Sequence, residues 1–205
     1  MPAETLQGMP WAAAEVRAAV ASKYGEVATN PAGKFRFPVG ADLAHALGYP
    51  EDLLRAFPTA CTESFTGVAC PVLAAGLAPG EAVLDLGSGA GLDALIAARL
   101  VGNAGRVVGV DLSEAMVAKA SANAAAVAAV NVEFRHGYAE ALPAEAATFD
   151  AIIVNGLLNL APEKPSVVRE ILRVLRPGGR ALVAEIVTDG SLPPVTLKTL
   201  EDWFR

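Results

Sequence analysis

Basic clusters, histidine and cysteine are all scarce in this chain, and each scarcity removes a class of function. Its 16 Lys and Arg are outnumbered by 22 Asp and Glu, for a formal net charge of −6, and they form no cluster. Nothing therefore neutralises a phosphate backbone, and direct nucleic-acid binding is disfavoured. Two cysteines, Cys61 and Cys70, are too few for a disulfide scaffold, and with two histidines, His45 and His136, no repeated spacing makes a zinc site. Hydrophobic residues make up 53% of the chain, enough for a packed core, but much of this is alanine. No uninterrupted apolar run approaches the roughly 18 residues of a spanning helix. The opening Met1-Pro-Ala-Glu4 lacks the basic start and apolar stretch of a secretory leader. The expectation is a soluble, cytoplasmic, reduced protein, monomer or homodimer, that acts on small molecules without a membrane partner.

What is present from residue 81 onward is alternation. Short β-rich runs at Ala82–Leu86, Arg106–Asp111, Val132–His136, Phe149–Asn155 and Arg180–Val187 are separated by helical stretches at Leu92–Val101, Glu114–Ala126 and Ser166–Leu175. This is the pattern of βαβ units in a doubly wound α/β fold with a mainly parallel sheet. The strands read as continuous apolar runs, so the sheet is expected to be covered on both faces. Ser113 is placed to cap the second helix, and Pro177-Gly178-Gly179 to stop the third. About a dozen residues separate the third and fourth strands, near the lower limit for a parallel crossover, so that connection is expected to be a loop. Residues 81–205 are read as the α/β core. Residues 1–80 carry helical stretches at Trp11–Lys23, Ala41–Leu47 and Glu51–Phe57 and no strand pattern. They form either a cap over the ligand edge of the sheet or a packing extension.

The first strand runs into Asp85-Leu-Gly87-Ser88-Gly89-Ala-Gly91 and then a helix, a tight turn at the carboxyl end of a central strand, where open α/β sheets bind ligands. Glycines let backbone amides approach a ligand with no Cβ in the way. The second strand ends in Asp111, a carboxylate suited to both hydroxyls of a ribose. A nicotinamide dinucleotide loop spaces its glycines G-x-G-x-x-G, whereas here the third such position is Leu92, and Asp85 would repel a pyrophosphate. A cofactor with an α-ammonium group and no phosphates turns that charge into an attraction; S-adenosylmethionine (SAM) has this character and leaves S-adenosylhomocysteine as product. The adenine is expected between Leu112 and Met116, with Tyr138 stacking and the Ala139 amide bonding the ring. Ser88, Gly89 and Gly91 cradle the cofactor, and Asn155 faces its methionine part.

With those residues in view, the chain resembles the class I SAM-dependent methyltransferases, and among them the arsenite-methyltransferase-like branch. The likeness rests on Val83-Leu-Asp-Leu-Gly-Ser-Gly-Ala-Gly-Leu-Asp93, on Val20-Ala-Ser-Lys-Tyr24-Gly25, on Ile153-Val-Asn155-Gly-Leu-Leu-Asn159-Leu-Ala-Pro-Glu-Lys164 and on Arg169-Glu-Ile-Leu-Arg-Val-Leu-Arg-Pro177-Gly-Gly179-Arg180. It implies methyl transfer to a small-molecule or metalloid acceptor. In the branch, trivalent arsenic is held by thiolates. The resemblance puts those cysteines at Gly156 and Val68, with a third beyond Arg205, so the set is incomplete here. Cys61 and Cys70 either converge as substitute thiols or serve as packing residues. The family usually closes its sheet with two further strands after a helix that Pro194–Phe204 would supply; only five candidates are found, which implies a truncated chain or an open edge.

Methyl transfer from a sulfonium requires an aligned acceptor lone pair and a dry site more than a dedicated base. The candidate catalytic groups are accordingly few: Tyr24, as a closing residue, His136 and Glu185. A SAM-binding protein without catalysis and a nicotinamide-dependent oxidoreductase are the competing readings.

Overall fold

The computed structural model describes residues 11–33, 35–187 and 199–204. Five parallel strands, β1 (Ala82–Leu86), β2 (Arg106–Asp111), β3 (Val132–His136), β4 (Phe149–Asn155) and β5 (Leu175–Ala184), lie in the order β3-β2-β1-β4-β5. The order reverses between β1 and β4, and the carboxyl ends of these two strands therefore border the crevice where such sheets take ligands. Four strands fall on the residues expected from the apolar runs. The β3–β4 connection carries no helix, only an isolated bridge between Tyr138 and Ala141.

The central strands earn their burial: β1 is buried throughout and β4 nearly so. Two-sided cover does not extend to the edges, however, since β3 and β5 are half-exposed along their length. The fifth strand also departs from expectation. It starts where its helix ends, pairing Leu175 with Phe149; the register then jumps so that Arg180 pairs with Ala151. Pro177-Gly178-Gly179 thus forms an irregularity inside the strand, with Gly178 at φ +82° and no room for a Cβ at Gly179 against the Asp150 carbonyl. The strand stops at Ala184 because the Glu185 carboxylate takes the N–H of Ile186 and that of Asn159.

Helices α6 (Leu92–Val101), α7 (Glu114–Ala126) and α8 (Lys164–Val174) cover the sheet. Ser113 caps α7 by accepting from the Met116 N–H. Upstream lie α1 (Ala13–Thr29), which runs past its expected end at Lys23, and the short helices α2 (Ala41–Ala46), α3 (Glu51–Arg55), α4 (Thr59–Thr62) and α5 (Pro71–Ala74). This segment has no separate core among the described residues. Tyr49, Phe57, Cys61 and Phe65 share one apolar cluster with Leu95 of α6 and Ile153 of β4. The helix expected over Pro194–Phe204 lies partly outside the described residues, within which Leu200–Phe204 forms a 3-10 turn. Among the described residues no helix is long and apolar enough to cross a membrane.

Candidate active site

The carboxyl ends of β1, β2, β3 and β4 and one face of α1 border an open cleft, the place where such sheets take ligands. The strand order sets its layout. Gly87 and Gly89 form the middle; Asp111, Leu112, Tyr138, Ala139 and Glu140 line the β2–β3 end; Asn155 through Leu157 and Leu160 through Pro162 line the β4 end. Helix α1 contributes Arg17, Val20, Ala21 and Tyr24.

The glycine loop is folded back onto β2 by N–H groups of Gly87 and Ser88 donating to the Val110 carbonyl, at 2.8 and 3.1 Å. Gly87 sits at φ +79°, and a Cβ there would lie 2.7 Å from Leu157 Cδ1, across the cleft floor. Asp111 ties the same loop to the α7 cap: Oδ2 accepts from Gly89 N–H and Oδ1 from Ser113 N–H, both at 2.8 Å. A carboxylate has about four acceptor positions; with the Leu112 N–H as a third backbone donor, Asp111 keeps room for a further donor from the cleft.

Four expected cofactor contacts lie elsewhere, for physical reasons. Met116 is fully buried beneath the cleft with Val27, Ala28 and Ala90. Gly91 starts α6 in the left-handed region at φ +91°, and its missing Cβ makes room for the Phe134 ring, 2.8 Å away. Ser88 turns its hydroxyl inward beside Gly109, where it has no hydrogen-bond partner among the described residues. Asp85 is 2% exposed and lies behind the cleft wall, with Oδ2 likewise unpartnered.

Asp85 is nevertheless the electrostatic key to the site. Burial first, then the neighbouring Asp93 and Asp111, hold its carboxyl well above the ordinary range. Burial raises Asp111 as well, against the pull of its backbone donors. Asp93 is pushed up from 3.8 to about 6 by burial, although Tyr49 and Asn155 donate to it. None of the three is ion-paired with Lys or Arg among the described residues. A region of three enclosed carboxylates without a counter-cation favours a cationic ligand and opposes a pyrophosphate. The raised Asp93 carboxyl contributes stability that is fully present below about pH 3.8 and is lost as pH rises to about 6. A denaturant titration series across that window is expected to show the decline in the wild type and a smaller one in Asp93→Asn, where Asp85 and Asp111 carry the remainder.

Asn155 does more than line the cleft. Its Oδ1 accepts from Val68 N–H at 2.8 Å and Ala69 N–H at 3.2 Å. Its Nδ2 donates to the Ala69 carbonyl and Asp93 Oδ2, each at 3.0 Å, and to Tyr49 Oη at 3.2 Å. Tyr49 in turn donates to Asp93 Oδ1 at 2.6 Å. One side chain thus clamps the loop before α5 to β4 and α6. Gly67 is required beside it, since a Cβ would fall 2.5 Å from Asn155 Nδ2.

The candidate catalytic groups separate. Tyr24 lines the cleft and hydrogen-bonds the Thr66 side chain; burial, with Asp111 and Glu185 nearby, drives its phenol far above the ordinary value and keeps it protonated. Glu185 instead terminates β5, as described. His136 is outside the cleft, with Nε2 3.0 Å from the Leu112 carbonyl and its ring edge-on to Tyr138. The cysteines engage different partners. Cys61 is buried, with Sγ 3.8 Å from the Ala90 carbonyl and its thiol pushed up to about 12 by burial. Cys70 is partly exposed beside Tyr49, its thiol also raised by burial. No group of three or more His, Cys, Asp or Glu among the described residues is arranged to hold a metal ion. By contrast, Gly156 and Val68 are neighbours: a Cβ on Gly156 would lie 3.2 Å from Val68 Cγ1.

Residues 77–205 match the family described as "Methyltransferase domain". An arsenite methyltransferase of Halobacterium salinarum is 46% identical over 129 residues, which are 62% of this chain and 33% of that protein. The chain thus spans about a third of the length of this curated relative. Among solved structures, CrArsM, an arsenic(III) S-adenosylmethionine methyltransferase from Chlamydomonas reinhardtii, is 35% identical with a TM-score of 0.52, covering 69% of this chain and 47% of that one. The [4+2]-cyclase SpnF is 28% identical with a TM-score of 0.57, covering 78% and 57%.

Proposed function

The chain belongs to the methyltransferase-domain family, and from that premise we propose that it transfers a methyl group from SAM to a small-molecule acceptor other than thiol-bound arsenite. The observation that carries the cofactor half is Asp111, held by the backbone N–H groups of Gly89 and Ser113 at the cleft wall with acceptor capacity to spare. The residues fit the cofactor in three respects. Asp111 would take the ribose hydroxyls, Leu112 and Tyr138 would flank the adenine, and Gly87 and Gly89 would let the backbone approach the methionine part. The three enclosed carboxylates favour its cationic groups. When bound, SAM supplies an electrophilic methyl on a sulfonium; the chain's own part is to orient, to exclude water and to hold the acceptor in line.

The acceptor half turns on Gly156 and Val68. They stand where the resembled branch carries cysteines, and they touch, yet they hold no sulfur. Cys61 and Cys70 do not replace them, since neither lines the cleft: Cys61 is buried with its Sγ at the Ala90 carbonyl, and Cys70 lies beside Tyr49. The test is a pair of incubations with SAM, glutathione and arsenite. The wild type is expected to yield no methylated arsenic, while the Val68→Cys/Gly156→Cys double variant is expected to retain arsenite through gel filtration. The variant carries a strain of about 1–2 kcal/mol from a side chain at positive φ. Methylated arsenic from the wild type would overturn the acceptor half.

A second reading, ligand binding without methyl transfer, draws on the likeness to SpnF, a protein named as a cyclase. SAM binding without S-adenosylhomocysteine release on any acceptor would favour it.

A further inference from the structure

The cleft lining includes residues beyond those assigned to the cofactor. Beyond Gly87 and Asp111, its β4 end is bounded by Tyr24, Thr66, Gly156, Leu157 and Leu160, with Ala161 and Pro162 at the rim. These groups are apolar apart from two hydroxyls, which bond each other. Tyr24 is stacked on Phe37 at 5.9 Å between ring centroids, so the phenol is fixed in place from behind.

The charge around this compartment is of one sign. Asp111 and Glu185 both act on the Tyr24 phenol. The one cation lining the cleft among the described residues is Arg17, and it is already committed: it bonds Glu140 at 3.1 Å and Glu163 at 3.2 Å and lies 5.5 Å over the Tyr138 ring. Lys164, just past the rim, is 5.6 Å from the Trp203 ring and feels Glu185. An anionic acceptor entering here would meet carboxylates and no free cation; an uncharged one would lose nothing but water from apolar walls.

We propose that this compartment, bounded by Tyr24, Thr66, Gly156, Leu157 and Leu160, is the acceptor subsite and that it selects an uncharged, predominantly apolar acceptor against an anionic one. The inference rests on the SAM-dependent reading of the cleft and names its substrate class. Tyr24 and Thr66 are the polar groups that orient the acceptor. In the transfer, the acceptor's lone pair forms the new bond to the methyl carbon, the carbon–sulfur electrons return to the sulfonium sulfur, and a proton on the acceptor atom leaves to water.

A matched pair of thiols tests it, benzyl mercaptan and 4-(mercaptomethyl)benzoate, which differ by one carboxylate remote from the sulfur. With SAM present, kcat/KM read from S-adenosylhomocysteine release is expected to favour benzyl mercaptan by at least about tenfold, the effect of a like-charge encounter of modest size. Leu160→Lys, which places a free cation in the wall, is expected to shrink or reverse the ratio. Equal rates, a preference for the benzoate, or no turnover of either thiol by a chain that binds S-adenosylhomocysteine overturns the proposal. Failure to bind S-adenosylhomocysteine instead removes the cofactor reading on which it rests. For Leu160→Lys, S-adenosylhomocysteine affinity serves as the folding control, and an unchanged ratio in a folded variant counts against the subsite.

Discussion

Asp111→Ala is expected to weaken S-adenosylhomocysteine binding by about 100-fold, close to 3 kcal/mol, because hydrogen bonds to a charged acceptor are worth roughly 1.5–3 kcal/mol each. The bonds from the ribose hydroxyls to this cleft-lining carboxylate would be lost. The same truncation frees the Gly89 and Ser113 N–H groups, so part of the loss reflects a looser glycine loop. Asp111→Asn separates the two causes. It keeps the shape but sets an amide against one of those N–H donors, and it is expected to cost about tenfold. Titration calorimetry on both variants, with circular dichroism to confirm folding, measures this. A change below threefold in a folded Asp111→Ala chain would mean that the carboxylate serves the loop and not a ligand.

Asn155→Ala carries the largest expected cost to stability, about 3–4 kcal/mol, or a drop of about 10 °C in Tm. The amide reaches five partners with two N–H groups and two lone-pair positions, about four hydrogen bonds each worth about 1 kcal/mol net, and some are replaced by water when it is removed. The damage is non-local. Loop 67–69 is released, and Asp93 loses one of its two side-chain donors and faces its burial with Tyr49 alone. Gly67→Ala should reproduce much of this from the other side, since its Cβ displaces the same amide. Guanidinium unfolding of the two variants tests the clamp. A loss under about 1 kcal/mol for Asn155→Ala would show that the loop is held by its apolar contacts instead.

The comparison of sequence with structure divides along locality. Runs such as Val107-Val-Gly-Val110 and Ala151-Ile-Ile-Val154, flanked by glycine or proline, define their strands from neighbouring residues alone, and β1 to β4 follow them. Strand β5 begins five residues before Arg180 because pairing of Leu175 with Phe149 is a tertiary event that no local pattern carries. The four-residue helices at Thr59–Thr62 and Pro71–Ala74 span barely one helical turn, too short for a periodic pattern to repeat, and they pass unnoticed.

The site follows the same rule. Asp111, Leu112, Tyr138, Ala139 and Asn155 line the cleft because strand ends converge at the switch point, a property of the strand order. Met116, Ser88 and Gly91 sit within the expected motifs but face away. A motif fixes the position of a residue along the chain; the turn or helix phase fixes its direction. Arg17 and Thr66 belong to the cleft through packing between segments distant in sequence, and Tyr49 meets Asp93 across 44 residues in the same way. The signal for Asp93 lay in its place directly after the glycine loop, where a buried carboxylate has no packing purpose.

The most direct test of the account is a side-by-side calorimetric titration of the wild-type chain with S-adenosylhomocysteine and with NAD⁺. The account predicts one saturable S-adenosylhomocysteine site in the micromolar range typical of enzyme ligands and no NAD⁺ binding at the same concentrations, because the three carboxylates oppose a pyrophosphate. NAD⁺ binding at least as tight as S-adenosylhomocysteine, or no binding of either to a folded chain, would contradict it.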